Sequence, residues 1–315
     1  MPVCSLEGGL MNKLKAWIQA SRLPSQSFIF LPLLLGQVYG VMEHQLCFDW
    51  TVFFWTALFS FSIQLFIVYG NDYNDLEVDR LNATFNLFSG GSRVLVEGHL
   101  SRKELATGIW VMVAMNLFTG AMLTFIYERY FALPIVLLCM LLLFLYSFPP
   151  FRFNYRGGGE FLQMIGTACV LPIIGYYAQS NVINPSQLPW SLVLILAPFH
   201  LSSAVSTSLP DYPSDKTGRK HTMVVILGPQ RAKILVIILN FISIFLFAIT
   251  GGTNLKEPAT YAILSGPLAA TLAMISLIRF SDAGSSRLTA FVGLNVVGVT
   301  ILFHLMMIIN IWHPG

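Results

Sequence analysis

Uninterrupted apolar runs of about 20 residues recur along this chain, each long enough to cross a hydrocarbon core of about 30 Å as a helix. Backbone in lipid must satisfy its own polar groups, so such runs fold as a bundle of membrane helices. Composition agrees: 55% of the 315 residues are hydrophobic and 10% are charged. The mean hydropathy is +0.69, and a soluble domain of this length would need far more charge to stay dispersed. The runs place spans at 23–42, 51–73, 104–127, 130–148, 160–180, 189–210, 231–251, 258–280 and 288–311. The expected fold is all-α and polytopic, with nine transmembrane helices, and Pro172, Pro198 and Pro267 inside spans predict kinks. Residues 10–22, anchored by Lys13, Lys15 and Trp17, read as an amphipathic helix lying at the interface. No cleavable signal peptide is expected, since Met1 to Gly9 is short and carries Glu7.

Basic residues set the orientation. With the N-terminus inside, the cytoplasmic side collects Lys13, Lys15, Arg22, Arg80, Arg93, Arg102, Lys103, Arg152, Arg156, Lys216, Arg219, Lys220, Arg231, Lys233, Arg279 and Arg287. Only Arg129 and Lys256 fall outside, a partition of 16 against 2 that accounts for all 18 basic residues and matches the positive-inside rule. This distribution follows topology and gives no support to nucleic-acid binding. Cys4, Cys47, Cys139 and Cys169 are far apart with no CxxC pair, which predicts free thiols and neither disulfide nor metal site.

Against this apolar background stands Asn71-Asp72-Tyr73-Asn74-Asp75-Leu76-Glu77-Val78-Asp79-Arg80, at the cytoplasmic end of the second span. If the helix continues, Asn71, Asp75 and Asp79 share one face at four-residue spacing. Carboxylates that close repel and need a counter-ion. A hard cation such as Mg²⁺ suits their oxygens, and it keeps positions open for substrate phosphates. A second cluster, Asp211-Tyr212-Pro213-Ser214-Asp215, closes the sixth span. One acidic cluster at a helix end is often only a solvated face; two at corresponding places argue for a site.

The offset of four spans gives both clusters the same topology. It suggests two parallel four-helix halves, about 23–148 and 160–280, and a last helix at 288–311, forming one domain around a central cavity. Glycines and bases follow each cluster. Gly90, Gly91 and Gly218 permit tight turns or close approach; Arg93, Lys216, Arg219 and Lys220 offer donors to phosphate oxygens. Arg93 and Lys216, next to the carboxylates, are the better ligand candidates. Arg102, Lys103, Arg231 and Lys233, at span starts, read as topology determinants touching lipid headgroups. Carboxylates, metal and basic groups at the mouth of an apolar cavity suit an isoprenyl diphosphate. Its leaving group would be neutralised there, and its allylic cation shielded by aromatic rings. Tyr146, beside Ser147 at the end of the fourth span, is the chosen ring. His200 and His304, inside spans, read as satisfied buried histidines.

These residues carry a family resemblance. Asn71-Asp72-x-x-Asp75-x-x-x-Asp79 and Asp211-x-x-x-Asp215 resemble the paired signature of the UbiA superfamily of intramembrane prenyltransferases. So do Arg22-Leu23-Pro24 before Leu31-Pro32-Leu33-Leu34-Leu35-Gly36, Gly157-Gly158-Gly159-Glu160, and Asp215-x-x-Gly218-Arg219-Lys220-x-Thr222. The resemblance covers essentially the whole chain. It implies transfer of a polyprenyl group to a small, usually aromatic, acceptor with two Mg²⁺ ions bridging the diphosphate. By position, Asn71, Asp75 and Asp79 would hold one ion, and Asp211 and Asp215 the other. Asp72 would join the catalytic set by orienting a basic partner, and Arg22, Arg93, Arg152 and Lys216 would hold the diphosphate or the acceptor. Gly159-Glu160 and Gly218-Arg219-Lys220-x-Thr222 look most like the 1,4-dihydroxy-2-naphthoate polyprenyltransferases of menaquinone synthesis, which implies a prokaryotic cell membrane. Those enzymes commonly carry Asn-Asn-Leu-Arg where this chain has Thr207-Ser208-Leu209-Pro210, so another quinone head group or a non-aromatic lipid acceptor stays open.

Two other classes compete. An ion-coupled secondary transporter would place its acids near the bilayer midplane on broken helices; here they sit at span ends. A CDP-alcohol-type phosphotransferase packs its acids on one segment, and here they are split over two.

Overall fold

The computed structural model describes residues 3–86, 88–250, 258–279 and 283–312. Its long helices are α1 Val3–Ser21, α2 Ser27–Glu43, α3 Trp50–Leu81, α4 Arg102–Ile126, α5 Ala132–Ser147, α6 Gly159–Ser180, α7 Trp190–Ser208, α8 Pro229–Thr250, α9 Pro258–Leu277 and α10 Ser286–Trp312. Seven stretches are long and apolar enough to cross a membrane: Asn12–Glu43, α3, α4, α6, α7, α8 and α10; Ala132–Ser147 and Tyr261–Leu277 are shorter apolar helices. Among the described residues no strand forms. Lys256 and the Cys4 side chain, used in the sequence reading, lie outside what is described.

Local signals explain the ends. Asp49 caps α3 by accepting from Thr51 N and Val52 N, and Ser101 with Glu104 forms a capping box on α4. Arg22 interrupts α1 and α2 in a left-handed conformation (φ 42°), followed by the 3₁₀ turn Leu23–Gln26 with Pro24 in its first turn. α6 contains a π turn, Ile165–Val170, immediately before Pro172, and such turns recur at functional segments.

Two apolar cores form. One joins α7, α8, α9 and α10 around Phe199, Phe247 and Phe303. The other joins α1, α3, α4 and α5 around Phe59, Leu105 and Val136, with Val170, Leu171 and Ile174 of α6. α2 packs along α6 and also touches α10. Lipid supplies no hydrophobic drive for helix association, so polar contacts help to set the registers. Ser62 Oγ donates to Asn116 Oδ1 (2.8 Å) between α3 and α4. Asn240 Nδ2 donates to Asn295 Oδ1 (2.8 Å) between α8 and α10, and Ser202 Oγ of α7 donates to Asn240 Oδ1 (2.7 Å). His200 and His304 meet through their Nε2 atoms at 3.3 Å, with His304 Nδ1 on Thr300 O at 2.7 Å, so both are paired as the sequence reading expects. Lys233 corrects its reading: it is fully buried, its ammonium 6.0 Å from the Phe291 ring centre, because it faces the core from the first turns of α8. Cys47 is exposed, and Cys139 is a buried free thiol.

Candidate active site

The site begins where α3 outlasts its apolar run. The helix continues through the acidic motif to Leu81, so Asn71, Asp75 and Asp79 form one stripe over its last turns. All three line a cavity of about 300 Å³. Glu77 points the other way, exposed, and pairs with Arg80 at 3.1 Å. Ser147 Oγ, at the end of α5, donates to Asn71 Oδ1.

The second motif comes from across the bundle. α7 ends at Ser208, and Asp211 precedes the short helix Tyr212–Thr217, whose buried face carries Ser214 and Asp215. Gly218 lets this helix lie against α3: a Cβ there would stand 2.6 Å from Val78 Cγ2. Asp211 and Asp215 thereby line the same cavity as the first motif. Asn82 Nδ2 donates to Asp211 Oδ1 at 2.7 Å. Lys220 Nζ donates to Asp75 Oδ2 at 3.0 Å and stands 3.9 Å from Asp215 Oδ1, so a single ammonium touches both motifs. Asn154 Nδ2 lies 3.4 Å from Asp75 Oδ1.

The segment that delivers Lys220 is itself pinned. Lys220 N donates to Asp215 O (2.8 Å) and His221 N to Tyr155 O (2.9 Å). Met223 N donates to the buried Glu160 carboxylate (2.7 Å), and Thr222 caps the helix Met223–Leu227. Burial and mutual repulsion act on the loop acids. Burial first, then Asp215, pushes the Asp211 carboxyl up to about 7. Burial raises Asp215 to about 6 although Lys220 opposes the rise. Burial alone would lower Lys220, but Asp75 and Asp215 carry it well above the usual lysine range. This lysine occupies ground that a metal ion would take.

The remaining candidates separate. Asp72 is buried (3% exposed) and gives its oxygens to the Arg22 guanidinium and to Ser92 Oγ, which leaves Arg22 fixed at the cavity wall. Arg22 and Tyr146 line the cavity; Arg93, Arg152 and Lys216 are absent from its lining. Arg93 donates to Asp79 O (3.1 Å) and Asn82 O (3.3 Å) behind α3. Arg152 donates to Asn74 O (3.1 Å) and lies over the Tyr155 ring at 3.9 Å. Lys216 is exposed, and among the described residues it reaches Tyr212, Oη at 3.4 Å. The sequence reading named Lys220 as a donor but ranked Lys216 above it for adjoining Asp215. Side chains at i and i+1 of a helix do not share a face, and that spacing could have reversed the choice. Asn82, Ser92, Asn154 and Glu160 were not singled out as site residues.

Gly90 and Gly91, both at positive φ, turn the loop back over the motif; a Cβ on Gly91 (φ +69°) would stand 2.3 Å from Asp79 Oδ2 and 3.2 Å from Arg22 Nη2. Gly91→Ala should therefore displace Asp79 and lower any activity that depends on the site at least tenfold while the melting temperature in detergent falls only slightly. Unchanged activity would show that Asp79 need not stand where it does.

The donor set is one amide and four carboxylates, which fits a hard divalent cation. The ammonium lodged between Asp75 and Asp215 shows that this spot accepts positive charge. Among the described residues no three His, Cys, Asp or Glu gather closely enough to hold an ion alone. Mg²⁺ is commonly bound through one or two carboxylates, with water and substrate phosphates completing its shell. Ile67 and Ile63, one and two turns back along α3 from Asn71, share an aliphatic wall with Ile29, Leu142, Leu143 and Leu171; Gln163 and Thr167 add uncharged polar points, and Thr207 and Ser208 stand beside Asp211.

The profile of the UbiA prenyltransferase family matches residues 29–303. Among solved structures, a UbiA homolog from Archaeoglobus fulgidus bound to GPP and Mg²⁺ is similar at a TM-score of 0.64 and 20% identity, over 93% of this chain and 99% of that one. The apo UbiA homolog from Aeropyrum pernix K1 gives 0.63 and 17%, over 89% and 97%. A digeranylgeranylglyceryl phosphate synthase gives 0.61 and 16%, over 95% and 98%. At these identities the likeness is one of fold. No curated protein matches in sequence.

Proposed function

Because this chain belongs to the UbiA prenyltransferase family, and is by that membership a multi-pass membrane transferase of prenyl groups, we propose that it moves a polyprenyl group from an isoprenyl diphosphate to a small aromatic acceptor of the quinone-precursor kind. One observation supports this most: carboxylates from two motifs far apart in sequence line one cavity that is charged at one end and aliphatic at the other. The diphosphate lies at the charged end. Asn71, Asp75 and Asp79 would hold one Mg²⁺ there, and Asp211 and Asp215 another, supplying neutralisation of the leaving diphosphate. Asp72 fixes Arg22, which with Lys220 gives the diphosphate oxygens donors. The prenyl C–O bond breaks with its electron pair leaving on the diphosphate. The aliphatic wall excludes water from the allylic cation, and the Tyr146 ring faces it. The acceptor's nucleophilic ring carbon then forms the new C–C bond, and its proton passes to the released diphosphate, which restores the aromatic ring.

Thr207 and Ser208 line the cavity, where hydroxyls of an acceptor could bond. The naphthoate branch of menaquinone synthesis is the acceptor class that Gly159-Glu160 and the Gly218-Arg219-Lys220-x-Thr222 run favour; a lipid acceptor is the second reading. In the same reading, α2 to α10 make nine spans, as two four-helix halves and one further helix within a single domain, with both Asp motifs on the cytoplasmic side of a prokaryotic membrane.

Purified protein with labelled geranylgeranyl diphosphate and a panel of hydroxynaphthoates, hydroxybenzoates and glycerol phosphates tests this. Labelled product is expected with an aromatic acceptor, lost with chelator and restored by Mg²⁺. Magnesium-independent turnover, or product only with glycerol phosphates, would overturn the reading.

A further inference from the structure

Among the described residues six acids line the cavity (Asp72, Asp75, Asp79, Glu160, Asp211 and Asp215), and Arg22 and Lys220 are the cations in its wall. Arg22 is taken up by Asp72 on one side. Among the described residues Lys220 is the cation within 4 Å of both motifs, 3.0 Å from Asp75 Oδ2 and 3.9 Å from Asp215 Oδ1. Its ammonium therefore stands among the oxygens that a divalent ion would need. An ion bound to Asp75 or Asp215 would face that ammonium across a few ångströms in a partly dry cavity, where like charges repel strongly.

We propose that Lys220 is a placeholder cation that makes metal and diphosphate bind together: it occupies the carboxylates of both motifs until diphosphate oxygens give its ammonium another partner. The inference rests on the proposed function. Lys220 is suited to this exchange. It is a compact point charge on a flexible four-carbon stem, able to change partners by rotating its own side chain. Its backbone is held meanwhile by the Lys220 N to Asp215 O bond at 2.8 Å and the His221 N to Tyr155 O bond at 2.9 Å. The Tyr155 ring centre lies 5.4 Å from Nζ, and burial of the stem keeps the excursion short. Diphosphate carries negative charge in excess of what the ammonium loses. Moving the lysine to it frees Asp75 and Asp215 for metal without leaving either charge unpaired. Coupling of this kind is reciprocal, so metal strengthens diphosphate binding by the same factor.

The test uses Mn²⁺ as a paramagnetic probe, with free ion counted by electron paramagnetic resonance in detergent, with and without inorganic diphosphate. Wild type should bind Mn²⁺ at least tenfold more tightly with diphosphate than without. Lys220→Met should bind Mn²⁺ alone about tenfold more tightly than wild type and lose most of the gain from diphosphate. Lys220→Arg, which keeps the charge, should bind Mn²⁺ alone as weakly as wild type, a rescue that a merely structural role would not give. If wild type shows the diphosphate gain and Lys220→Met, folded by its elution profile, leaves affinity for Mn²⁺ alone unchanged or lower, the placeholder role is wrong and the proposed function stands. If Lys220→Met does not fold, Lys220→Arg decides: a Mn²⁺-alone affinity well above wild type overturns the role. Wild type that binds no Mn²⁺ even with diphosphate overturns both.

Discussion

Asp75→Asn and Asp211→Asn are each expected to reduce prenyl transfer by about a hundredfold to a thousandfold, the scale seen when one preorganised electrostatic group at a reacting centre is removed. Both substitutions keep the size of the side chain and remove only the charge. Asp75 Oδ2 accepts from Lys220, Asp75 Oδ1 stands 3.4 Å from Asn154 Nδ2, and Asp211 Oδ1 accepts from Asn82. The single amide oxygen of an asparagine keeps the bonds to Lys220 and Asn82 and gives up the long contact to Asn154. The fold should persist, with elution and melting in detergent close to wild type. The loss should therefore appear as a failure to ionise the diphosphate. Each motif is expected to matter equally, although they enter from different helices, because both line the one cavity. If either variant kept a tenth of wild-type turnover, its carboxylate would not hold metal during the reaction.

That pair of positions was legible in the sequence because three physical signals coincide there. Acids at the ends of apolar runs are costly without a counter-ion, the four-residue spacing gives them a common face, and the repetition four spans later gives both motifs one topology. Whether α3 would run on to Leu81 or fray at Gly70 was not legible. The acids themselves argue for fraying, and what holds the helix is tertiary: Arg22 and Ser92 on Asp72, and Lys220 on Asp75. The same limit hid Asn82 and Asn154, which are ordinary polar residues between spans until folding sets them against Asp211 and Asp75. Arg93 shows the converse. Adjacency to the motif and positive charge recommended it as a phosphate donor, yet its guanidinium serves the carbonyls of Asp79 and Asn82 and so closes the loop.

The largest effect on folding is expected where α2 crosses α6. A Cβ on Gly36 would lie 2.1 Å from Pro172 O, one on Gly40 2.8 Å from Tyr176 O, and one on Gly175 2.1 Å from Leu33 O. Every one of those neighbours is backbone and cannot rotate aside. Gly36-x-x-x-Gly40 is a small-residue pair of the kind that lets membrane helices approach closely, where packing takes over from the hydrophobic effect. In sequence Gly36 closes the Leu31-Pro32-Leu33-Leu34-Leu35-Gly36 run and Gly40 stands out in no way, and nothing in α2 names the helix they pack against. Gly36→Ala and Gly175→Ala should each cost about 2 kcal/mol or more, at the upper part of the range for overpacking. The double variant should cost less than the sum, because the helices separated for one methyl already admit the other. Gly166→Ala is the control: its Cβ would meet nothing nearer than Leu142 Cδ1 at 3.9 Å, and its melting should not change. Thermal unfolding of the four variants in one detergent measures all of this. If Gly36→Ala melted with wild type, the close crossing would be wrong. With it would go the seating of α2, which carries the Leu23–Gln26 turn and Arg22 to the cavity, against α6, which opens with Gly159 and Glu160 in its wall.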